Sequence, residues 1–253
     1  MRTRTLILLA AAAALACAAE RRSIFPPGVK PVGPYSPGVI AGDYLFVSGQ
    51  GARNAEGQFG ATPEDNVRQT FANVKAIVEA AGLTMNHIVY AQVYLHSSTP
   101  RAAMDKVWRE VFPAGAPRRL VYPTHRMPTE TPVEINAIAV LDLAAKKKAS
   151  GIMLPGEPGA LGCRKSAQFV LCTAVSTSAA TIEEQTKQVM EQLKSAMSKS
   201  GSSIANAVAA NVQMDTIDDF AKMNAVYGSY FPKESPPTRT TIGPNPPVAS
   251  RDA

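Results

Sequence analysis

Residues 117–140 read PRRLVYPTHRMPTETPVEINAIAV, and the alternation near their end decides how the chain is read. Val133, Ile135, Ala137 and Ile138 are core-like, while Glu134 and Asn136 share the opposite face of an extended strand. A turn at Met127-Pro128 separates that strand from a short extended segment opened by Arg119. An arginine and a glutamate on neighbouring strands are able to bind a carboxylate and handle a proton. By spacing alone, such a pair is more often an ordinary surface ion pair.

The surroundings of this stretch form a unit. Residues 39–41, the turn Gly42-Asp43 and residues 44–48 read as a tight hairpin. Thr62 caps a helix that begins at Pro63, with Glu64 and Asp65 in its positive first turn. Val67, Phe71, Val74, Val78 and Ala81 make its apolar stripe, and Gly82 ends it. A strand over residues 88–95 and a helix over 101–112 follow.

The same order returns downstream. Residues 169–173 read as the hairpin strand, Thr181 and Glu184 as a capping box, and Ile182, Val189, Leu193 and Ala196 as the stripe before Gly201. A strand near 207–214 and a helix over 217–231 complete the repeat. Gly82 and Gly201, Trp108 and Tyr227, and Phe112 and Phe231 are each 119 positions apart. Arg119 and Arg239 are 120 apart, the extra residue falling within 233–237. The chain is therefore read as two copies of one α+β domain, 24–143 and 159–253, joined by a linker over 144–158. Nothing after Arg239 matches the Glu134 strand, so the second copy lacks its last strand.

At 253 residues the chain has room for two domains of roughly 100–150 residues. Residues 1–17 read as a signal peptide: Arg2 and Arg4 precede an apolar run of 11 residues at 6–16, too short for a membrane span. Two endings fit. Ala14-Leu15-Ala16-Cys17 resembles a lipobox, which would leave a lipidated Cys17 as the one membrane contact, and Ala16-Cys17-Ala18 suits ordinary signal peptidase. Either predicts export, to the periplasm, the envelope or the medium.

Loss of the first 16 residues lowers the formal charge from +6 to +4. With no interleaving of aromatic and basic residues, no nucleic-acid surface is expected. Export makes a disulfide between Cys163 and Cys172 possible, but nothing in the sequence fixes their geometry, and they read rather as small buried residues near one hairpin. His87, His96 and His125 lack metal-ligand spacing, and no cysteine has a base beside it, so neither metal nor cofactor is expected.

Several motifs together resemble the Rid (YjgF-like) family, which carries the older label L-PSP endoribonuclease. They are Gly33-Pro34-Tyr35-Ser36, residues 44–50 (YLFVSGQ), the helix of residues 68–82, Arg119, and residues 133–139 in the first copy. In the second they are Asp218-Asp219-Phe220, Met223-Asn224, Tyr230-Phe231-Pro232 and Pro237-Thr238-Arg239-Thr240. The resemblance implies two helices packed on one face of a mixed sheet, and homo-oligomers, trimers above all, with pockets between subunits.

It also implies an imine deaminase that needs no cofactor. Arg119 would hold the substrate carboxylate, Glu134 would handle water, and Tyr35 and Ser48 would line the pocket. Asp105 stands where relatives often carry asparagine, and Arg239 with Asn224 marks a second candidate site. The alternatives are a non-catalytic binder of small carboxylates or amino-acid derivatives and, less favoured by the weak charge, a ribonuclease.

Overall fold

Two β-sheets, each backed by a pair of longer helices, stack face to face in a computed structural model that describes residues 6–12, 21–149, 162–166, 169–176 and 179–243. The N-terminal strand β1 (Leu6–Ala12) belongs to the second sheet. The first sheet holds β2 (Arg21–Ile24), β3 (Gly38–Ala41), β4 (Tyr44–Gln50), β5 (Ile88–Leu95), β6 (Arg118–Pro123) and β7 (Val133–Val140). They lie in the order β2-β3-β4-β7-β5-β6.

Helices α1 (Pro63–Ala80) and α2 (Arg101–Val111) cover one face of this sheet. The Thr62 hydroxyl accepts from the Asp65 N–H at 3.2 Å, so the expected cap is present. Phe71 packs on Trp108 and Phe112, with ring centroids 5.9 Å from each, and ties the two helices together. Past α1 the backbone at Gly82 takes φ +80°, a conformation that glycine adopts without strain.

A single turn, α3 (Lys146–Ala149), lies within the expected linker, whose residues 150–158 fall outside the described residues. The second sheet comprises β8 (Gly162–Ser166), β9 (Phe169–Val175), β10 (Ala207–Gln213) and β11 (Thr238–Ile242), with helices α4 (Ile182–Lys199) and α5 (Phe220–Gly228). Its order is β11-β10-β1-β9-β8. Strands β10 and β11 are parallel, as β5 and β6 are, and β1 runs antiparallel to both neighbours, as β7 does.

Strand β1 therefore fills the place that β7 fills in the first sheet. Among the described residues, the second copy has no strand of its own there, in line with its sequence. Residues 6–12, which the sequence also suits to the apolar heart of a leader, pair in the folded chain with the inner edges of β9 and β10. Without a strand between them, both edges would present unpaired backbone N–H and C=O groups.

The stacking of the sheets covers β7 on both sides. All eight residues of β7 are buried, Glu134 and Asn136 among them. Alternation put Glu134 and Asn136 on one face of the strand. That face is covered here by the second sheet: Phe169 stands edge-on to Phe46 at 5.3 Å, and Leu171 and Val208 are buried with Ile138 and Val140. Cys163 and Cys172 face each other across β8 and β9 and form a disulfide, which corrects the reading of them as separate buried thiols. Neighbouring antiparallel strands bring the two Cβ atoms together, and a sequence separation of 9 gave no sign of that register.

Candidate active site between the two sheets

Glu134 and Arg119 do not meet. Strand β5 lies between β7 and β6, so the two residues are not on neighbouring strands. Glu134 pairs with Tyr94 and Arg119 with Ala91, three residues further along. Two strand spacings alone separate β7 from β6 by about 10 Å.

The faces differ as well. Ala91 is paired with both Ala137 and Arg119, which puts Arg119 on the helix-bearing side of the sheet. Its guanidinium lies over Trp108 of α2 at 4.5 Å and donates to the carboxylate of Asp105, on the same helix. Glu134, one position out of phase with Ala137, points to the other side and into the space between the sheets.

The arginine that comes near Glu134 is Arg239, from the second copy. It sits on β11, the edge strand of its sheet, and is 4% exposed. Its Nη1 donates to Asn224 Oδ1 at 2.6 Å, and the rings of Tyr35, Phe220 and Tyr227 lie 5.4, 5.3 and 5.1 Å from the guanidinium carbon. Among the described residues, no carboxylate stands within ion-pair distance of it. Burial pushes the guanidinium pKa down, partly offset by the nearby phenols and by Glu134. An arginine still keeps its proton under those conditions.

Glu134 is 6% exposed. Burial raises its carboxyl pKa to about 8, opposed by the charge of Arg239 and by a hydrogen bond from the Thr241 backbone N–H. That N–H belongs to the otherwise unpaired edge of β11, so one copy's sheet edge is satisfied by the other copy's acid.

Two glycines make the approach possible. A Cβ at Gly49 would lie 1.8 Å from Glu134 Oε1, and one at Gly33 would lie 2.9 Å from Arg239 Nη2. Both stand in the motifs that carry the family resemblance, but neither was given a role from sequence.

These groups line one cavity of about 580 Å³ that includes Tyr35, Gly49, Gln50, Glu134, Arg239 and Thr241. Thr241 Oγ1 is buried without a hydrogen-bond partner in the protein. Tyr35 closes the arginine end, its hydroxyl accepting from the Val32 N–H at 3.4 Å. Ser48 is buried behind Gln50 and accepts from its Nε2 at 2.8 Å. The structure thus assembles Tyr35, Glu134, Arg239 and Asn224 and leaves Arg119 and Asp105 paired with each other elsewhere. Cys17 lies outside the described residues.

The family model described as Endoribonuclease L-PSP matches residues 27–141 and again 168–245. The chain belongs to this family. The first matched segment spans β3 to β7 with α1 and α2, and the second spans β9 to β11 with α4 and α5. Among relatives, a RutC family protein, PH0854, of Pyrococcus horikoshii is 38% identical over 113 residues, which are 44% of this chain and 89% of the relative. The 2-iminobutanoate/2-iminopropanoate deaminase of Dermatophagoides farinae is 31% identical over 119 residues, 46% of this chain and 93% of that one. A crystal structure of Escherichia coli TdcF with bound serine is 33% identical and superposes with a TM-score of 0.45, over 47% of this chain and 98% of TdcF. Each of these family members spans about one repeat, whereas here two repeats share a chain and one cavity lies between them.

Proposed function

We propose that this protein hydrolyses 2-imino acids to 2-keto acids and ammonia in the cavity between its sheets. The supporting observation is a deeply buried guanidinium, Arg239, with no acid in ion-pair range among the described residues, sharing one cavity with a Glu134 carboxyl held up at about 8. The name of the mite relative points to the same chemistry.

Arg239 presents a planar fork that matches a carboxylate in two parallel charged hydrogen bonds, with Asn224 fixing its far edge. Held in this way, the adjacent C=N carbon is directed towards Glu134. At neutral pH Glu134 is largely protonated, and it gives its proton to the imine nitrogen, leaving a carboxylate and an iminium ion. Water then adds to the iminium carbon while the carboxylate takes one of its protons. Glu134 passes that proton to the amine nitrogen, ammonia departs, and the hydroxyl proton returns to Glu134 as the C=O bond forms. The acid ends as it began, and the sum is imine plus water to ketone plus ammonia. Imines hydrolyse readily in water, so orientation within the cavity supplies much of the acceleration.

The test generates 2-imino acids with an amino-acid oxidase and follows the loss of the semicarbazone that would otherwise form. Arg239→Ala and Glu134→Gln are each expected to lower kcat/KM at least ~100-fold, while Arg119→Ala leaves it within about threefold. Full activity in Arg239→Ala would refute the assignment. Hydrolysis no faster than buffer, with 2-keto-acid binding that disappears in Arg239→Ala, would leave a carboxylate-binding protein. Ribonuclease chemistry finds less support, because none of His87, His96 and His125 lines this cavity.

A further inference from the structure

The cavity is larger than a three-carbon acid requires, and part of its excess is walled by apolar side chains. About 580 Å³ falls in the range of sites that enclose drug-sized ligands, several times the volume of 2-iminopropanoate. Away from Arg239 and Glu134 its wall carries Pro27, Val29, Val32, Ala76, Ile77 and Phe220, beside polar residues such as Asn54, Asn73 and Thr131.

A second observation concerns the surface. The large hydrophobic residues left exposed among the described residues are Phe25, Val29, Val32, Phe59 and Leu143. Val29 and Val32, the latter 63% exposed, line this cavity, and Phe59 lies 4.1 Å beneath the guanidinium of Arg53, another lining residue. Exposed apolar groups gathered at one opening mark a place where an apolar group binds.

The cations near the mouth do not argue for a second acid group. Arg53 is held by the carbonyl oxygens of Gly57 at 2.5 Å and Thr129 at 2.7 Å and by the face of Phe59, and Lys30 is exposed.

We infer that the cavity selects 2-imino acids, and the matching 2-keto acids, whose side chains are bulky and apolar, aromatic or branched, over those of three or four carbons. The carboxylate end sits on Arg239, and the side chain runs along Phe220 towards Val32 and Val29. This rests on the carboxylate-binding role of Arg239 proposed above, but not on turnover.

The test is therefore made first by calorimetric titration of the full chain with 2-keto acids: pyruvate, 4-methyl-2-oxopentanoate, phenylpyruvate and 2-oxoglutarate. Phenylpyruvate is expected to bind about 30-fold tighter than pyruvate, the order of gain from burying most of a phenyl ring. The double substitution Val29→Ser, Val32→Ser, at surface positions, is expected to remove at least ~3-fold of that advantage and leave pyruvate unchanged. Pyruvate binding as tightly as phenylpyruvate, or 2-oxoglutarate binding tightest, would overturn the inference. No binding by any of the four acids would overturn the role of Arg239 as well. Selective binding without hydrolysis of the corresponding imino acids would leave the selectivity standing and remove the deaminase.

Discussion

Asp105 and Asn224 lie 119 positions apart, at the same place in the two repeats, and the exchange of one side-chain atom separates the fates of two arginines. Arg119 faces a carboxylate and is neutralised within its own domain, whereas Arg239 faces an amide and has no acid in ion-pair range among the described residues. Asn224→Asp should therefore convert the second environment into the first. We expect the affinity for a 2-keto acid to fall at least ~10-fold with the fold intact, and Asp105→Asn to change nothing, as read by titration calorimetry. Glu134 carries a pH signature. Its folded pKa, about 8, lies above its ordinary value of 4.5, so the folded state holds a proton that the unfolded chain gives up. Stability is highest below pH 4.5, falls as pH rises from about 4.5 to about 8, and is level above that for this group alone. Urea unfolding of the wild type and Glu134→Gln across that window should show the variant gaining relative stability as pH rises. In the same window, kcat/KM should decline as pH passes about 8 and the acid form is lost. Equal pH profiles for the two proteins would exclude the raised pKa. Gly49 ranks with these residues: Gly49→Ala would drive its Cβ into the Glu134 carboxylate and should abolish hydrolysis, with a stability loss of about 1–3 kcal/mol on unfolding. Residue types and repeat register were legible in the sequence. The partner of Glu134 was not, because the alternation gives the face a side chain takes and says nothing of which sheet covers that face.

Among the elements, the sequence was most informative where local chemistry decides. The Thr62 and Thr181 caps, the strand Ile88–Leu95 and the repeat itself are set by short-range signals of capping, periodicity and spacing. It leaves two readings where one segment can satisfy two physical demands. Residues 6–12 are apolar enough to serve as a leader's core and also to form an inner strand, and periodicity does not separate the two. In the folded chain they hold β9 against β10, with Leu8 opposite both Thr173 and Asn211. Leader cleavage after residue 16 would remove this strand, so export with cleavage and completion of the sheet by β1 exclude each other in a given molecule. Leu8→Pro tests the strand directly: proline takes a donor out of a central strand and clashes with its ladder. The variant should lose about 3 kcal/mol or more of stability, with new amide exchange in β9 and β10 and little change in β5 or β7. Amide protection identical to the wild type would mean that β1 does not hold the second sheet together. Ligand affinity should weaken with the second sheet, since β10 carries β11 and β11 carries Arg239.

At the scale of the whole molecule, covalent linkage brings the two halves of the cavity together. The resemblance implies pockets shared between subunits of an oligomer, but here each half of the cavity comes from one copy of the repeat within a single chain. The halves are fastened at several points around β11. Arg21 donates to the Ser235 carbonyl at 2.6 Å and Ser36 to that of Pro236 at 2.6 Å, Asn136 donates to Thr240 Oγ1 at 2.8 Å, and Arg126 pairs with Asp218 at 2.5 Å. These bonds fix the edge that carries Arg239 against the loop that carries Tyr35. The linked halves meet at an effective concentration in the millimolar range, well above working protein concentrations. One ligand should therefore bind per chain, with an affinity independent of protein concentration across a roughly 100-fold dilution and through any dissociation of oligomers seen by sedimentation. Charge reversal at Asp218→Lys should cost little binding, because an exposed pair contributes under about 1 kcal/mol. Asn136→Leu should cost more, since it leaves Thr240 Oγ1 without its donor inside the interface. An affinity that falls on dilution in step with loss of an oligomer would place part of the site on a second chain, and the cavity between the two sheets would then be incomplete as it stands.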